Sequence, residues 1–134
     1  MTEKSGKKHP EKALPEIIRA DGRYPLDAFA FLYEGLARAA KEVHGEAEKA
    51  GRPRHVTGQQ LCHALREEAI ERWGLLARTV LATWRIHATV DFGNMVYLLV
   101  ENELMGKTEE DSLEDFRDVY DFDEAFGPGE ILKE

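Results

Sequence analysis

Cys62 and His63 are the one neighbouring pair in this chain whose types suit nucleophile-and-base chemistry. Adjacent residues on a helix point roughly 100° apart, so the two do not face each other. Cys62 also flanks an apolar stripe of Leu61, Leu65 and Ala69, which favours a small core side chain. A reactive thiol needs an accessible, electropositive site instead. The histidines, His9, His44, His55, His63 and His87, form no H-x₃-H pair, and the lone cysteine forms no C-x₂-C. Asp118, Asp121 and Asp123 are hard-cation ligands by type but lack the calcium-loop spacing and its glycine, so they predict at most weak cation binding. The phosphate-cradling glycine motifs and the G-x-S-x-G nucleophile elbow are absent. Residue types and spacing therefore point to no catalytic group, no metal ligand and no cofactor.

Charge supplies the next candidates. Arg72, Arg78 and Arg85, with His87, occupy a stretch from Arg72 to Val90 that holds no acid. Arg78 and Arg85 are seven apart, hence on one stripe of the third helix. Arg52 and Arg54 precede the next helix upstream. All five cations are arginine, which suits bidentate contacts to carboxylate or phosphate. Three readings follow: a solvated face balancing Glu67, Glu68 and Glu71, a phosphate-binding patch, or an internal dock for acidic chain.

That acidic chain is the C-terminus. Residues 101–134 hold thirteen acids and three bases, a net charge of −10, whereas the first hundred residues carry +2. Phe116, Tyr120, Phe122 and Phe126 are interleaved with the acids. Four aromatics left in water would forfeit roughly 25 cal/mol per Å² of apolar area, so docking onto the domain is favoured over a free recognition arm. Arg72, Arg78, Arg85, His87, Phe116, Tyr120, Phe122 and Phe126 together form the candidate interaction surface.

The elements that must position these residues are helical. Pro15 opens a short helix over Leu14 to Asp21, and Asp21-Gly22 turns the chain. Phe29, Tyr33, Leu36, Ala40, Val43 and Ala47 recur in steps of four and three, giving an amphipathic helix from Pro25. Gly51 and Pro53 stop it, with Gly45 as an earlier candidate end. Thr57 and Gln60 read as a capping box before a helix through Leu61, Leu65, Ala69 and Trp73, interrupted at Gly74. Leu76, Val80 and Trp84 make the next. Thr89 with Asp91 reads as the N-cap of a fourth major helix, Val90 to Met105, ended by Gly106 and apolar on nearly every side. Gly93 within it implies the close approach of a neighbouring helix. Thr108 with Asp111 starts a further short helix. No strand-type alternation is sustained.

The 134 residues suit one domain, with 43% apolar residues for a core and 33% charged for a surface. No apolar run is long enough to span a bilayer. No apolar stretch follows the Lys-rich residues 1–12, so they do not read as a secretory signal. A single cysteine fits a reducing cytoplasm. A net charge of −8 disfavours indiscriminate binding to nucleic-acid phosphates.

Five segments carry a resemblance: DGRYPLDAFAFLYE (21–34), HVTGQQL (55–61), WGLLARTVL (73–81), DFGNMVYLLVE (91–101) and EEDSLEDF (109–116). Together they resemble the Minf-type family of small bacterial hypothetical proteins, over about residues 14 to 126. That family has no assigned activity, ligand or partner. The resemblance therefore implies a free-standing small domain and transfers no functional residue.

The expected fold is all-α or mainly α, a small irregular bundle of about five helices. A winged-helix-like C-terminal half, with Leu104 to Phe122 as a hairpin, is the alternative. Residues 1–12 are expected to be a disordered basic tail, 13–126 a single helical domain and 127–134 a C-terminal tail. The expected role is a non-catalytic module that binds a protein partner or itself. A winged-helix-like nucleic-acid regulator comes second and a small-molecule enzyme third.

Overall fold

Pro15 and Gly22 bracket the first helix as local chemistry requires. A computed structural model, which describes residues 2–3, 13–49, 56–106 and 112–132, places α1 at Leu14–Asp21. Gly22 follows with φ 76°, its amide donating to the Ile18 carbonyl. Ile17 and Ile18 are the buried anchors of α1. The long helix α2, Leu26–Lys49, runs through Gly45 without a break. The expected stop at Gly51 and Pro53 lies outside the described residues.

Helix α3, Gly58–Trp73, opens with the expected capping box. The Gln60 amide donates to Thr57 Oγ1 at 3.1 Å, and the Thr57 amide donates to Gln60 Oε1 at 2.9 Å. Helices α2 and α3 pack along each other, and Gly35 lets them close: a Cβ there would overlap the Leu65 side chain. A 3₁₀ turn at Gly74–Leu76 follows α3 and leads into α4, Ala77–Thr83. At this corner Phe31, Trp73 and Trp84 form a ring cluster, with centroids 5.3 to 5.7 Å apart.

Helix α5, Thr89–Glu101, buries Phe92, Gly93, Met95, Val96, Leu98 and Leu99, so it is the central helix the sequence implied. It begins one residue before the expected Val90 and ends four residues short of the expected Met105. Ala88, not Thr89, occupies the N-cap position, and Asp91 Oδ2 accepts from the amides of His87 (2.8 Å) and Ala88 (3.1 Å). Gly106 does not cap this helix. With Met105 it forms the short strand β2, which pairs antiparallel with β1, Thr2–Glu3.

That ladder also bears on the winged-helix alternative. Its partner is the N-terminus rather than any residue from 112 to 122, so no hairpin forms among the described residues of 104–122. Leu113–Phe116 is instead a 3₁₀ turn lying against α5, where a Cβ on Gly93 would sit 2.8 Å from Leu113 Cδ1 and Phe116 Cβ. The close neighbour implied by Gly93 is this turn and not a helix. The expected helix start at Thr108 and Asp111 lies outside the described residues, as do residues 4–12 of the N-terminal segment.

Two single turns, α6 (Phe122–Ala125) and α7 (Pro128–Ile131), finish the chain. Helix α7 falls in the stretch read as a tail, yet it packs against the 3₁₀ turn after α3, with Ile131 against the core. The fold is thus a small, mainly α bundle whose C-terminal turns wrap α3 and α5. No helix among the described residues is long and apolar enough to cross a membrane.

Candidate protein-interaction groove

The four cationic candidates do not share a surface. Helix α4 ends at Thr83, and Arg85 takes φ 64°, which turns it off the stripe that Arg78 occupies. Its guanidinium donates to the Gly22 and Arg23 carbonyls at 3.1 and 2.9 Å, tying α4 to the α1–α2 turn. Arg72 pairs with Glu34 on α2 and with Glu68 at 2.7 Å. Among the described residues only Arg78 meets the acidic C-terminus: it lies 3.2 Å from Asp123, with its guanidinium 5.3 Å from the Phe122 ring centroid. His87 is exposed at the start of α5.

The aromatic candidates dock inward. Phe116, Phe122 and Phe126 are buried members of the core, so they are not an exposed recognition surface. Their apolar area is worth more inside than in water, which outweighs the acids around them because those acids stay at the surface. Tyr120 stacks on Phe122 and donates from its hydroxyl to the Cys62 carbonyl at 2.7 Å. Burial pushes the phenol of Tyr120 well above its ordinary pKa, and burial likewise raises the Cys62 thiol. Cys62 is therefore a core residue without thiolate character, while His63 beside it points to the surface.

This docking creates a groove that neither half of the sequence shows alone. One compartment, about 300 Å³, is lined by His63, Arg66, Tyr120, Glu124, Ala125 and Glu130. The second, about 440 Å³, is lined by Arg66, Glu67, Ile70, Glu71, Glu130 and Ile131. Arg66 and Glu130 belong to both, so the two form one trough between α3 and the C-terminal turns. Arg66 Nε donates to the Ala125 carbonyl at 3.3 Å and braces the far wall. On α3 the lining residues 63, 66, 67, 70 and 71 recur at helical spacing, hence on one face about 12 Å long.

The 3₁₀ turn after α3 packs against α7, whose Ile131 lines the trough. Here Leu75, Leu76 and Leu132 stand 53%, 64% and 66% exposed, three of the five large apolar side chains so exposed among the described residues. The rim is acidic. Behind Glu67 and Glu71, Arg38 contacts Glu42, Glu67, Glu68 and Glu71 at 2.6 to 3.7 Å, and Arg72 contacts Glu34 and Glu68. Among the described residues, five carboxylates thus face two guanidiniums.

A second polar cluster proves structural. The Tyr24 hydroxyl donates to Asp91 Oδ1 at 2.6 Å and accepts from Asn94 Nδ2 at 3.1 Å, latching the α1–α2 turn to α5. Burial, then the bond to Asp91, pushes Tyr24 up to about 12. Among the described residues no three His, Cys, Asp or Glu side chains are grouped to hold a metal ion. No protein-family model matches the chain, and no curated protein and no solved structure is significantly similar to it.

Proposed function

We propose that this chain is a non-catalytic helical module that binds a partner protein through the groove between α3 and its C-terminal turns. The observation that carries the reading is the exposure of Leu75, Leu76 and Leu132, on the 3₁₀ turn after α3 and just past α7, two segments that pack against each other. Scattered single leucines on a surface are ordinary, but adjacent exposed ones beside a concavity mark contact sites. The polar groups nearby are engaged structurally: Tyr120 on the Cys62 carbonyl, Arg66 on the Ala125 carbonyl. The nucleic-acid alternative draws no support from Arg72, Arg78 and Arg85, whose guanidiniums are directed at Glu34, Asp123 and backbone carbonyls.

The test compares the full chain with a Leu76→Asp variant of the same helical circular dichroism. The proteins each retains from a lysate are identified by mass spectrometry, and each chain is sized by light scattering. A partner, or a dimer, present for the parent and lost in the variant supports the reading. Identical retention and identical mass for the two chains would sink it.

A further inference from the structure

We infer that the occupant of the groove is a basic amphipathic helix of another protein, laid along α3 with its apolar side on Ile70 and Ile131. The inference rests on the interaction reading above and adds the chemistry of the partner. The floor is apolar where Ile70 and Ile131 line it, and α7, which carries Ile131, packs against the 3₁₀ turn that bears the exposed Leu75 and Leu76. Glu67, Glu71, Glu124 and Glu130 line its length, against Arg66 and His63. Arg38 answers part of the charge of Glu67 and Glu71, but it is itself shared among four carboxylates.

An acidic helix brought here would place carboxylates against carboxylates, whereas lysines or arginines flanking an apolar stripe meet opposite charge on both sides. The geometry suits a helix as well. Lining residues spread over about 12 Å of α3 match two turns of a partner, read through anchors at i, i+3 or i+4, and i+7. A second copy of this chain fits the rim poorly, since each copy carries a net charge of −8.

The experiment titrates the full chain with two synthetic helical peptides of about 14 residues, long enough to span the groove. One carries leucine and lysine at amphipathic spacing, the other leucine and glutamate, and fluorescence anisotropy reads binding. Two double variants separate rim charge from net charge: Glu124→Lys with Glu130→Lys in the groove, and Glu16→Lys with Asp27→Lys away from it. The lysine peptide binds the parent, and the groove pair weakens it by about tenfold or more, the remote pair by much less. Raising salt weakens it too. Equal weakening by the two pairs means attraction to net charge only, which overturns the inference.

Tighter binding of the glutamate peptide overturns it as well. If Leu76→Asp abolishes that binding, the groove remains an interaction site and only the partner's charge was wrong. If the parent alone is a dimer in light scattering and Leu76→Asp makes it a monomer, the occupant is a second copy, and the inference falls while the module reading stands.

Discussion

Thr89 holds Phe116: its hydroxyl donates to the Phe116 carbonyl at 2.6 Å, and its oxygen accepts from the Val119 amide at 3.2 Å. This buried hydroxyl therefore completes the backbone hydrogen bonding of the turn that carries the first C-terminal aromatic into the core. Thr89→Val keeps the shape and removes both bonds. The expected cost is about 1–3 kcal/mol, because a buried carbonyl and amide lose their partner. Urea denaturation checks it as a lower midpoint at unchanged slope. A variant as stable as the parent would mean that water replaces the hydroxyl and that the latch is not needed.

Two glycines in helices should respond to alanine with opposite signs. At Gly93 a Cβ would sit 2.8 Å from Leu113 Cδ1, Phe116 Cβ and Phe116 Cγ, inside a packed layer. The overpacking penalty of about 1–3 kcal/mol exceeds the helix-propensity gain of about 1 kcal/mol, so Gly93→Ala destabilises. At Gly45, inside α2, nothing among the described residues lies within 4 Å of the added carbon. Gly45→Ala therefore stabilises by up to about 1 kcal/mol. Thermal melts of both variants under one buffer decide the pair, and Gly93→Ala melting above the parent would refute the close-packing argument.

What was legible in the sequence is what local chemistry encodes. Pro15 with Gly22 marked α1, and Thr57 with Gln60 marked the start of α3, because caps act within four residues. Gly93 announced a close neighbour, expected to be a helix, where the structure places the 3₁₀ turn Leu113–Phe116. Leu113 and Phe116 lie about twenty residues on, beyond any local signal. The Arg78–Arg85 stripe failed because periodicity assumed a helix through both, while α4 stops at Thr83 and Arg85 turns left-handed. The groove was not legible at all. Ile70 and Ile131 become neighbours only once α7 has docked, and Leu76 reads in sequence as part of an apolar helix stripe with Val80 and Trp84.

Tyr24 gives a pH-dependent signature. Its ordinary value of 10.0 is pushed up to about 12 by burial and by the bond to Asp91, so the folded chain keeps a proton that the unfolded chain loses. Its contribution is therefore complete below pH 10 and is lost as pH rises from 10 through 12. Tyr24→Phe leaves Asp91 Oδ1 without this donor and should cost about 1–2 kcal/mol near neutral pH. It also removes the titrating group, so the stability gap between parent and variant should narrow from pH 10 to 12. Denaturation series at pH 8, 10 and 11.5 test this, and a gap independent of pH would contradict the latch.

The docking of the acidic C-terminus should depend on its rings and hardly on its charges. Arg78 and Asp123 form an ion pair at 3.2 Å, but the Asp123 side chain is 83% exposed, where such pairs contribute only about 0–1 kcal/mol. Arg78 Nη1, moreover, is buried without a hydrogen-bond partner among the described residues, which offsets what the pair gains. Phe122 lies in the core between Phe92 and Phe126, 6.1 and 5.1 Å from their ring centroids. Asp123→Asn should therefore shift stability by less than about 0.5 kcal/mol, and Phe122→Ala should cost about 3–5 kcal/mol. Added salt should leave the Asp123→Asn difference near zero, because a screened surface pair has little left to lose. A large, salt-sensitive loss in Asp123→Asn would reverse the order and make Arg78 the anchor of the C-terminal turns.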